Sequence, residues 1–426
     1  MTRPGSGAKR RAPEPGSPDR VLLVDPYLAR EDPMERKFVE AYPSLGLLSL
    51  AGYLRARGAD VEVVDLTFAR DLRPLRSRLA RFRPAIVGVH TKTLTKPRAL
   101  AIASIARGSG AVTVAGGPDS ASRTAAYLES GFDLVALGEG EATLEEIVAR
   151  TRRGAPLEGT PGTAILRDRQ VVRAPSRPFL RSLDELPMPA WDLLDLEGYL
   201  ARWERRTGER RMAVLTSRGC PFDCSWCSKP TFGRTFRQRS ADRVIEELRA
   251  LKERYRVDYV RFCDDVFGIQ RSWLEQLLGR LEEEALGLRF ECLARVELLK
   301  PDLLDRMTRV GLARVYVGVE SGSQKMLDLM NRGTRLAQIE RTAESLRTHG
   351  VRQFWFLMLG YPGESLEDIE ATLRLFRKFS PEEYSVSIAV PVPGTRFYEA
   401  VKDRLRSVRG RPAASGGRAL LYEGAF

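Results

Sequence analysis

The chain has 426 residues, 43% of them hydrophobic and 29% charged, with a formal net charge of +13. That length allows two or three full cores, and the balance is that of a soluble globular protein, not a fibrous or disordered chain. No apolar run approaches the roughly 20 residues of a membrane span, no secretory signal opens the chain, and five cysteines, three of them clustered, do not make a disulfide framework. A reduced cytoplasmic setting is expected, with no membrane partner. Part of the basic excess (Arg3, Lys9, Arg10, Arg11) lies in a Pro/Gly-rich tail over 1–19 that reads as disordered. No basic stretch interleaves aromatics in the manner of an RNA-binding motif, so nucleic acid is not an expected partner.

After the tail, short apolar runs alternate with amphipathic stretches. Val21 to Val24 reads as a first strand, and Ser44 to Arg57 as a helix closed by Gly58. Val61 to Val64, Ala85 to Val89, Val112 to Ala115 and Leu134 to Leu137 read as four more strands. Helices over Leu72 to Phe82 and Pro97 to Arg107 fall between them, and Gly138-Glu139-Gly140-Glu141 opens another. This alternation predicts an α/β domain over 20–152 with a doubly wound, parallel, Rossmann-like sheet and a ligand crevice at the strand carboxyl ends. Gly116-Gly117-Pro118 stands at one such end, as a tight turn or as a close backbone approach to a ligand. Residues 153–208 read as a connector, with a hairpin of Thr163 to Leu166 and Gln170 to Val172 and an extended strap over Leu186 to Asp192.

The second half carries six apolar strands, at Met212 to Thr216, Tyr259 to Cys263, Arg289 to Ala294, Arg314 to Val319, Gln353 to Leu359 and Tyr384 to Val390. With helical patterns such as Ser240 to Tyr255 between them, they predict a partial (β/α)6 barrel over 209–400 with its chemistry at the strand carboxyl ends. Residues 401–426 read as a short C-terminal tail. In the loop after the first barrel strand, Cys220, Cys224 and Cys227 are spaced C-x3-C-x2-C. Three thiolates leave one position open, around a tetrahedral metal or on a cubane of four irons. His90 and His349 are distant in sequence and the next cysteine is Cys263, so a closed zinc site lacks a fourth ligand nearby. A structural iron–sulfur or zinc module is the non-enzymatic alternative. Cys263-Asp264-Asp265-Val266-Phe267 puts two carboxylates at the barrel mouth, and period-two alternation puts Glu291, Leu293 and Arg295 on one face and Tyr316, Gly318 and Glu320 on another.

The cysteine spacing, with Trp226 before the last cysteine, resembles the radical SAM superfamily. The first half resembles the cobalamin-binding domain that precedes the barrel in one large class of that superfamily, on Gly116-Gly117-Pro118 and Gly138-Glu139-Gly140-Glu141. The resemblance implies a [4Fe-4S] cluster on Cys220, Cys224 and Cys227 whose open iron chelates S-adenosylmethionine (SAM). It implies a 5′-deoxyadenosyl radical that abstracts a substrate hydrogen, and an external flavodoxin- or ferredoxin-type reductase that supplies the electron. For SAM it implies Trp226 beside the cluster, Asp265 on the methionyl ammonium and Arg295 on the carboxylate. It adds Glu320 and Ser321 of Gly318-Val319-Glu320-Ser321-Gly322-Ser323, and turns at Gly363 and Pro393 around the adenosine.

Two reactions are then in play. Asp25-Pro26-Tyr27-Leu28-Ala29-Arg30 lacks the histidine and glycine of the D-x-H-x-x-G motif in methyltransferase-type cobalamin domains, and Lys92 in His90-Thr91-Lys92-Thr93 stands where relatives carry small or apolar residues. A charge buried there unpaired costs several kcal/mol. These departures, with the short C-terminal tail, favour an absent cobalamin and a radical dehydratase or lyase acting on a small polyol such as an aminoglycoside. Its layout resembles the diol-dehydrating enzymes of antibiotic biosynthesis. Glu291 or Asp264 is then the base, Tyr316 a substrate contact, and a nicotinamide-dependent reductase the consumer of the carbonyl product. The alternative is a cobalamin-dependent radical SAM C-methyltransferase.

Overall fold

The computed structural model describes residues 17–32, 41–229, 231–412 and 418–422; most of the basic tail expected over 1–19 lies outside them. The chain divides into two compact units, one of Met1–Val39, Gly46–Pro178 and Pro189–Leu194, the other of Glu40–Leu45, Phe179–Met188 and Asp195–Phe426.

The first unit is built on β1 (Arg20–Asp25), β2 (Asp60–Asp65), β3 (Ile86–His90), β4 (Val112–Gly116), β5 (Leu134–Ala136), β6 (Thr163–Arg167) and β7 (Gln170–Arg173), in the order β2-β1-β3-β4-β5-β6-β7. The first five are parallel. Alternate residues of β1 enter opposite cores. Leu22 and Val24 pack with Leu75 and Ile102, whereas Val21 and Leu23 pack with Leu54 and Ile147. Burial on both faces is why these strands read as continuous apolar runs and not as alternating ones. The strand order reverses between β1 and β3, and this opens a crevice at their carboxyl ends. The sheet does not stop at Arg152. The connector hairpin β6–β7 joins its edge antiparallel, through Val135↔Ala164 and Ile165↔Val172.

The second unit is a partial barrel of β8 (Arg211–Val214), β11 (Tyr259–Phe262), β12 (Arg289–Ala294), β13 (Leu312–Glu320), β14 (Arg352–Leu359) and β15 (Glu383–Ile388), all parallel and adjacent in that order. Two short strands, β9 (Ser217–Arg218) and β10 (Arg237–Gln238), pair antiparallel beside it. Outward residues Phe262, Phe267, Phe290 and Trp273 form an aromatic cluster under the helix Arg271–Glu284. Inward residues fall in register layers: Arg261, Glu291 and Arg314 in one, Leu293, Tyr316, Phe354 and Glu383 in the next, then Gly318, Phe356 and Ser385 nearer the carboxyl ends. The connector's helix Leu196–Thr207 belongs to this unit and buries Tyr199, Leu200 and Trp203. The stretch read as a tail forms a further antiparallel pair, β16 (Leu405–Pro412) with β17 (Arg418–Tyr422). Among the described residues no helix is long and apolar enough to cross a membrane.

Candidate active site

The three clustered cysteines lie on a loop closed at its base by the β9–β10 ladder, in which Arg218 faces Arg237. Gly219 opens the loop at φ +83°, and a Cβ there would overlap the Thr235 carbonyl. Inside the loop, Lys229 Nζ donates to the Cys220 carbonyl at 2.8 Å and to that of Phe222, and the Cys227 amide donates to the Cys224 carbonyl at 3.1 Å. Asn331 Nδ2 holds the Asp223 carbonyl at 2.7 Å from outside. Burial, with the charges of the neighbouring cysteines adding and Lys229 opposing, pushes the Cys227 thiol up to about 11. Such clustered thiols favour the thiolate only when a cation joins them. Among the described residues no group of three or more His, Cys, Asp or Glu is arranged to hold a single metal ion. A cubane asks less of its ligands, since each thiolate meets its own iron.

Two arginines converge on the middle sulfur. Arg295 Nη1 and Arg332 Nη1 lie 3.6 and 3.5 Å from Cys224 Sγ. Arg295, expected on the SAM carboxylate, is instead 3% exposed, paired with Glu297 at 3.0 Å and laid over the Phe222 ring at 3.9 Å. These contacts tie it to the cysteine loop. Arg332 escaped the sequence reading because it lies in a turn beyond the strand motifs; its one local signal was the Asn331-Arg332-Gly333 step itself.

Glu320 ends β13 after a register shift and sits at φ +62°, a conformation in which a non-glycine residue is strained. Burial pushes its carboxyl up to about 7, against the pull of Arg332 and Arg295. Its nearest cation, Arg332 Nε, is 4.0 Å away. The glycines of its motif make room: a Cβ at Gly318 would meet Arg332 Nη2 and Glu320 Oε1 at 2.6 and 2.7 Å, and one at Gly322 would meet the Ala371 carbonyl at 2.6 Å. Asp265 is exposed beside the cysteines. Trp226 packs against Met326, Met330, Met358 and Tyr361 under the loop. Gly363, at φ +86°, and Pro393 are exposed in the turns after β14 and β15.

Four expected reactive or cofactor-binding side chains are engaged elsewhere. Asp264 accepts from the Thr216 and Ser217 amides at 2.7 and 3.1 Å and from the Thr216 hydroxyl, which ties the start of the cysteine loop to β11; burial outweighs these bonds and raises it to about 6. Ser321 is fully buried against the Thr372 hydroxyl at 3.1 Å. Glu291 is 1% exposed, lies below the mouth, and accepts from the hydroxyls of Tyr259 and Tyr316 at 3.0 and 3.2 Å. Tyr316 is thereby engaged as well. Both oxygens of Glu291 thus carry a hydroxyl donor, away from the cysteine loop.

In the first unit Asp25, His90, Thr91 and Gly116-Gly117 stand at the carboxyl ends of β1, β3 and β4. Burial opposes the charge of Asp25, yet His90, Lys92 and the Tyr27 amide outweigh it and hold the carboxyl at about 2. Gly117 adopts φ +122°, and a Cβ there would meet the Thr91 carbonyl at 2.6 Å; one at Gly116 would meet nothing within 4 Å. The backbone is therefore open to a ligand at Gly116. Lys92 and Arg30, expected to exclude a corrin, are both exposed, and Lys92 Nζ lies 5.4 Å from the Tyr27 ring centroid. Both side chains reach solvent, and the room at Gly116 suits such a ligand.

The barrel with a three-cysteine loop after its first strand, and the parallel crevice domain before it in the chain, together define a two-domain α/β class. Residues 214–376 match the model of the radical SAM superfamily, and residues 35–148 that of the B12 binding domain. An uncharacterized methyltransferase of Pyrococcus horikoshii is 31% identical over 390 residues, 89% of this chain and 82% of that protein. The anaerobic magnesium-protoporphyrin IX monomethyl ester cyclase of Rubrivivax gelatinosus is 28% identical, over 85% of this chain and 67% of its own. The fold is that of the radical SAM methyltransferase TsrM from Kitasatospora setae, solved with cobalamin and a [4Fe-4S] cluster, at TM-score 0.77 and 21% identity over 95% of this chain and 87% of that one. The chain belongs to the radical SAM superfamily, in its class with a B12-binding domain, and so to enzymes that use a [4Fe-4S] cluster and SAM. These relatives give no support to the preference for a dehydratase or lyase of antibiotic biosynthesis, fit the methyltransferase alternative better, and point towards cobalamin, against the leaning that it is absent. The nicotinamide-dependent partner, inferred from a carbonyl product, loses its basis with them.

Proposed function

We propose that this chain is a cobalamin-dependent radical SAM methyltransferase acting on a small molecule bound in the barrel lumen. The observation that carries the reading is its likeness to a methyltransferase through 89% of the chain, with both a radical SAM and a B12-binding match inside it. When bound, the cluster supplies an electron to SAM and the cobalamin supplies a methyl group. Cys220, Cys224 and Cys227 would hold the cluster, with Arg295 and Arg332 offsetting the thiolate charge at Cys224. Glu320 and Asp265 would take the SAM ammonium, an anion-to-cation contact. Backbone at Gly363 and Pro393 would border the adenosine, and Thr91, Gly116 and Gly117 the corrin. A flavodoxin- or ferredoxin-type reductase would deliver the electron.

The test is anaerobic reconstitution of the full chain, followed by iron and cobalt analysis and incubation with SAM carrying a deuterated methyl group. The expected result is one corrinoid per chain, with S-adenosylhomocysteine formed alongside a product that carries the label. Protein free of cobalt, or an unlabelled product, returns the reading to an elimination or to a ring closure of the cyclase kind.

A further inference from the structure

An ionic cluster in the barrel lumen is left unused by the chemistry above. Its hub is Glu291, with Arg211, Arg261 and Arg314 at 3.9, 3.7 and 3.6 Å. Three guanidiniums thus face one carboxylate. Two of them have a carboxylate of their own: Arg211 pairs with Glu209, and Arg314 with Glu383 at 2.8 Å. Arg261 does not. Among the described residues Glu291 is its one ionic neighbour, no hydrogen bond satisfies its guanidinium, and that group lies 4.7 Å from the centroid of the Tyr316 ring. Its side chain keeps 32% exposure. Around the cluster, Tyr42 Oη, Arg211 Nε and Arg314 Nε are buried without a hydrogen-bond partner.

We propose that Arg261 is the substrate-recognition residue of the lumen and that it takes an oxyanion, a carboxylate or a phosphoryl group, carried by the substrate. This rests on the reading of the lumen as a small-molecule site and names the class of molecule. The planar donors of a guanidinium match the oxygens of carboxylate and phosphate two at a time. Partial burial of the Arg261 side chain strengthens the attraction over its value in water. Arg289 and Arg352 also pair with Glu209 and Glu383, so five guanidiniums meet three carboxylates, and an anion relieves that surplus. The same surplus repels the ammonium groups of an aminosugar, so the cluster also argues against that substrate class.

Cys263, two residues along from Arg261, reports on the site. It is exposed, and it lies close enough for the arginine's charge to act on its thiol. In the full chain with its cluster reconstituted, Cys263 is alkylated with iodoacetate, an anion, or iodoacetamide, its neutral counterpart, and its peptide is quantified by mass spectrometry. The parent should prefer iodoacetate, and Arg261→Gln should lower that preference on the order of tenfold. An unchanged iodoacetamide rate in the variant shows that the lumen is intact; where it changes, Arg261→Lys decides, keeping the charge preference and losing the paired donors. Phosphate or succinate, at ionic strength matched with chloride, should slow iodoacetamide labelling in the parent and not in Arg261→Gln. Whichever anion protects distinguishes a phosphoryl group from a carboxylate. Equal reagent preference in the parent and Arg261→Gln, or no protection by either oxyanion, overturns the proposal. Neither readout needs methyl transfer, so failure here is distinct from failure of the proposed reaction.

Discussion

Arg332 Nη1 lies 3.5 Å from Cys224 Sγ although the two residues are 108 apart in the chain. The same guanidinium donates to the Gly318 carbonyl at 2.9 Å, so one side chain joins the cysteine loop to the end of β13. Hydrogen bonds to cluster sulfurs raise the reduction potential. Arg332→Gln should therefore bind iron near the parent's level while its cluster reduces at a lower potential, as measured by redox titration followed by electron paramagnetic resonance. A potential equal to the parent's would remove Arg332 from the cluster's surroundings.

Asp264 positions the start of the cysteine loop. Asp264→Ala removes three hydrogen bonds and leaves the Thr216 and Ser217 amides buried without an acceptor, a loss of about 2–4 kcal/mol. The expected outcome is a lower unfolding midpoint in urea and less than half the parent's iron after reconstitution. Parent-like values for both would sink this role.

Stability of the cluster-free chain should fall as pH rises from about 4 to 7. Glu320 is raised from 4.5 to about 7 and Asp264 from 3.8 to about 6. Between the unfolded and folded values the native state holds a proton that the unfolded chain has released, so each group favours folding at the acid end and loses that advantage as pH passes the folded value. For Glu320 the effect is at most about 3 kcal/mol. Urea unfolding at pH 5 and pH 8 should show a smaller difference for Glu320→Gln than for the parent, and an equal difference would refute the assignment.

Gly219 cannot carry a side chain. Its φ of +83° disfavours any L-residue, and a Cβ would run into the Thr235 carbonyl across the loop. Gly219→Ala should cost about 1–3 kcal/mol and open the β9–β10 closure. Faster proteolysis between Arg218 and Arg237, with reduced iron uptake, is the expected reading.

What the sequence determined alone was local. Apolar runs of four to seven residues set between amphipathic helices specify parallel strands, because burial on both faces demands them; hence two α/β units were legible in the sequence. The cysteine spacing and the glycines around Glu320 were legible for the same reason, since each depends on neighbours a few residues away. Tertiary structure decided which side chains are free. Asp264, Ser321, Glu291 and Tyr316 have the right chemistry and place, but partners 25 to 51 residues distant engage them. Lys92 reaches solvent in the folded chain, and exposure is a property of the folded surface. Arg332 reached Cys224 through barrel closure, which no local pattern encodes. Periodicity reports which face a residue occupies; only the closed fold reports what waits on that face.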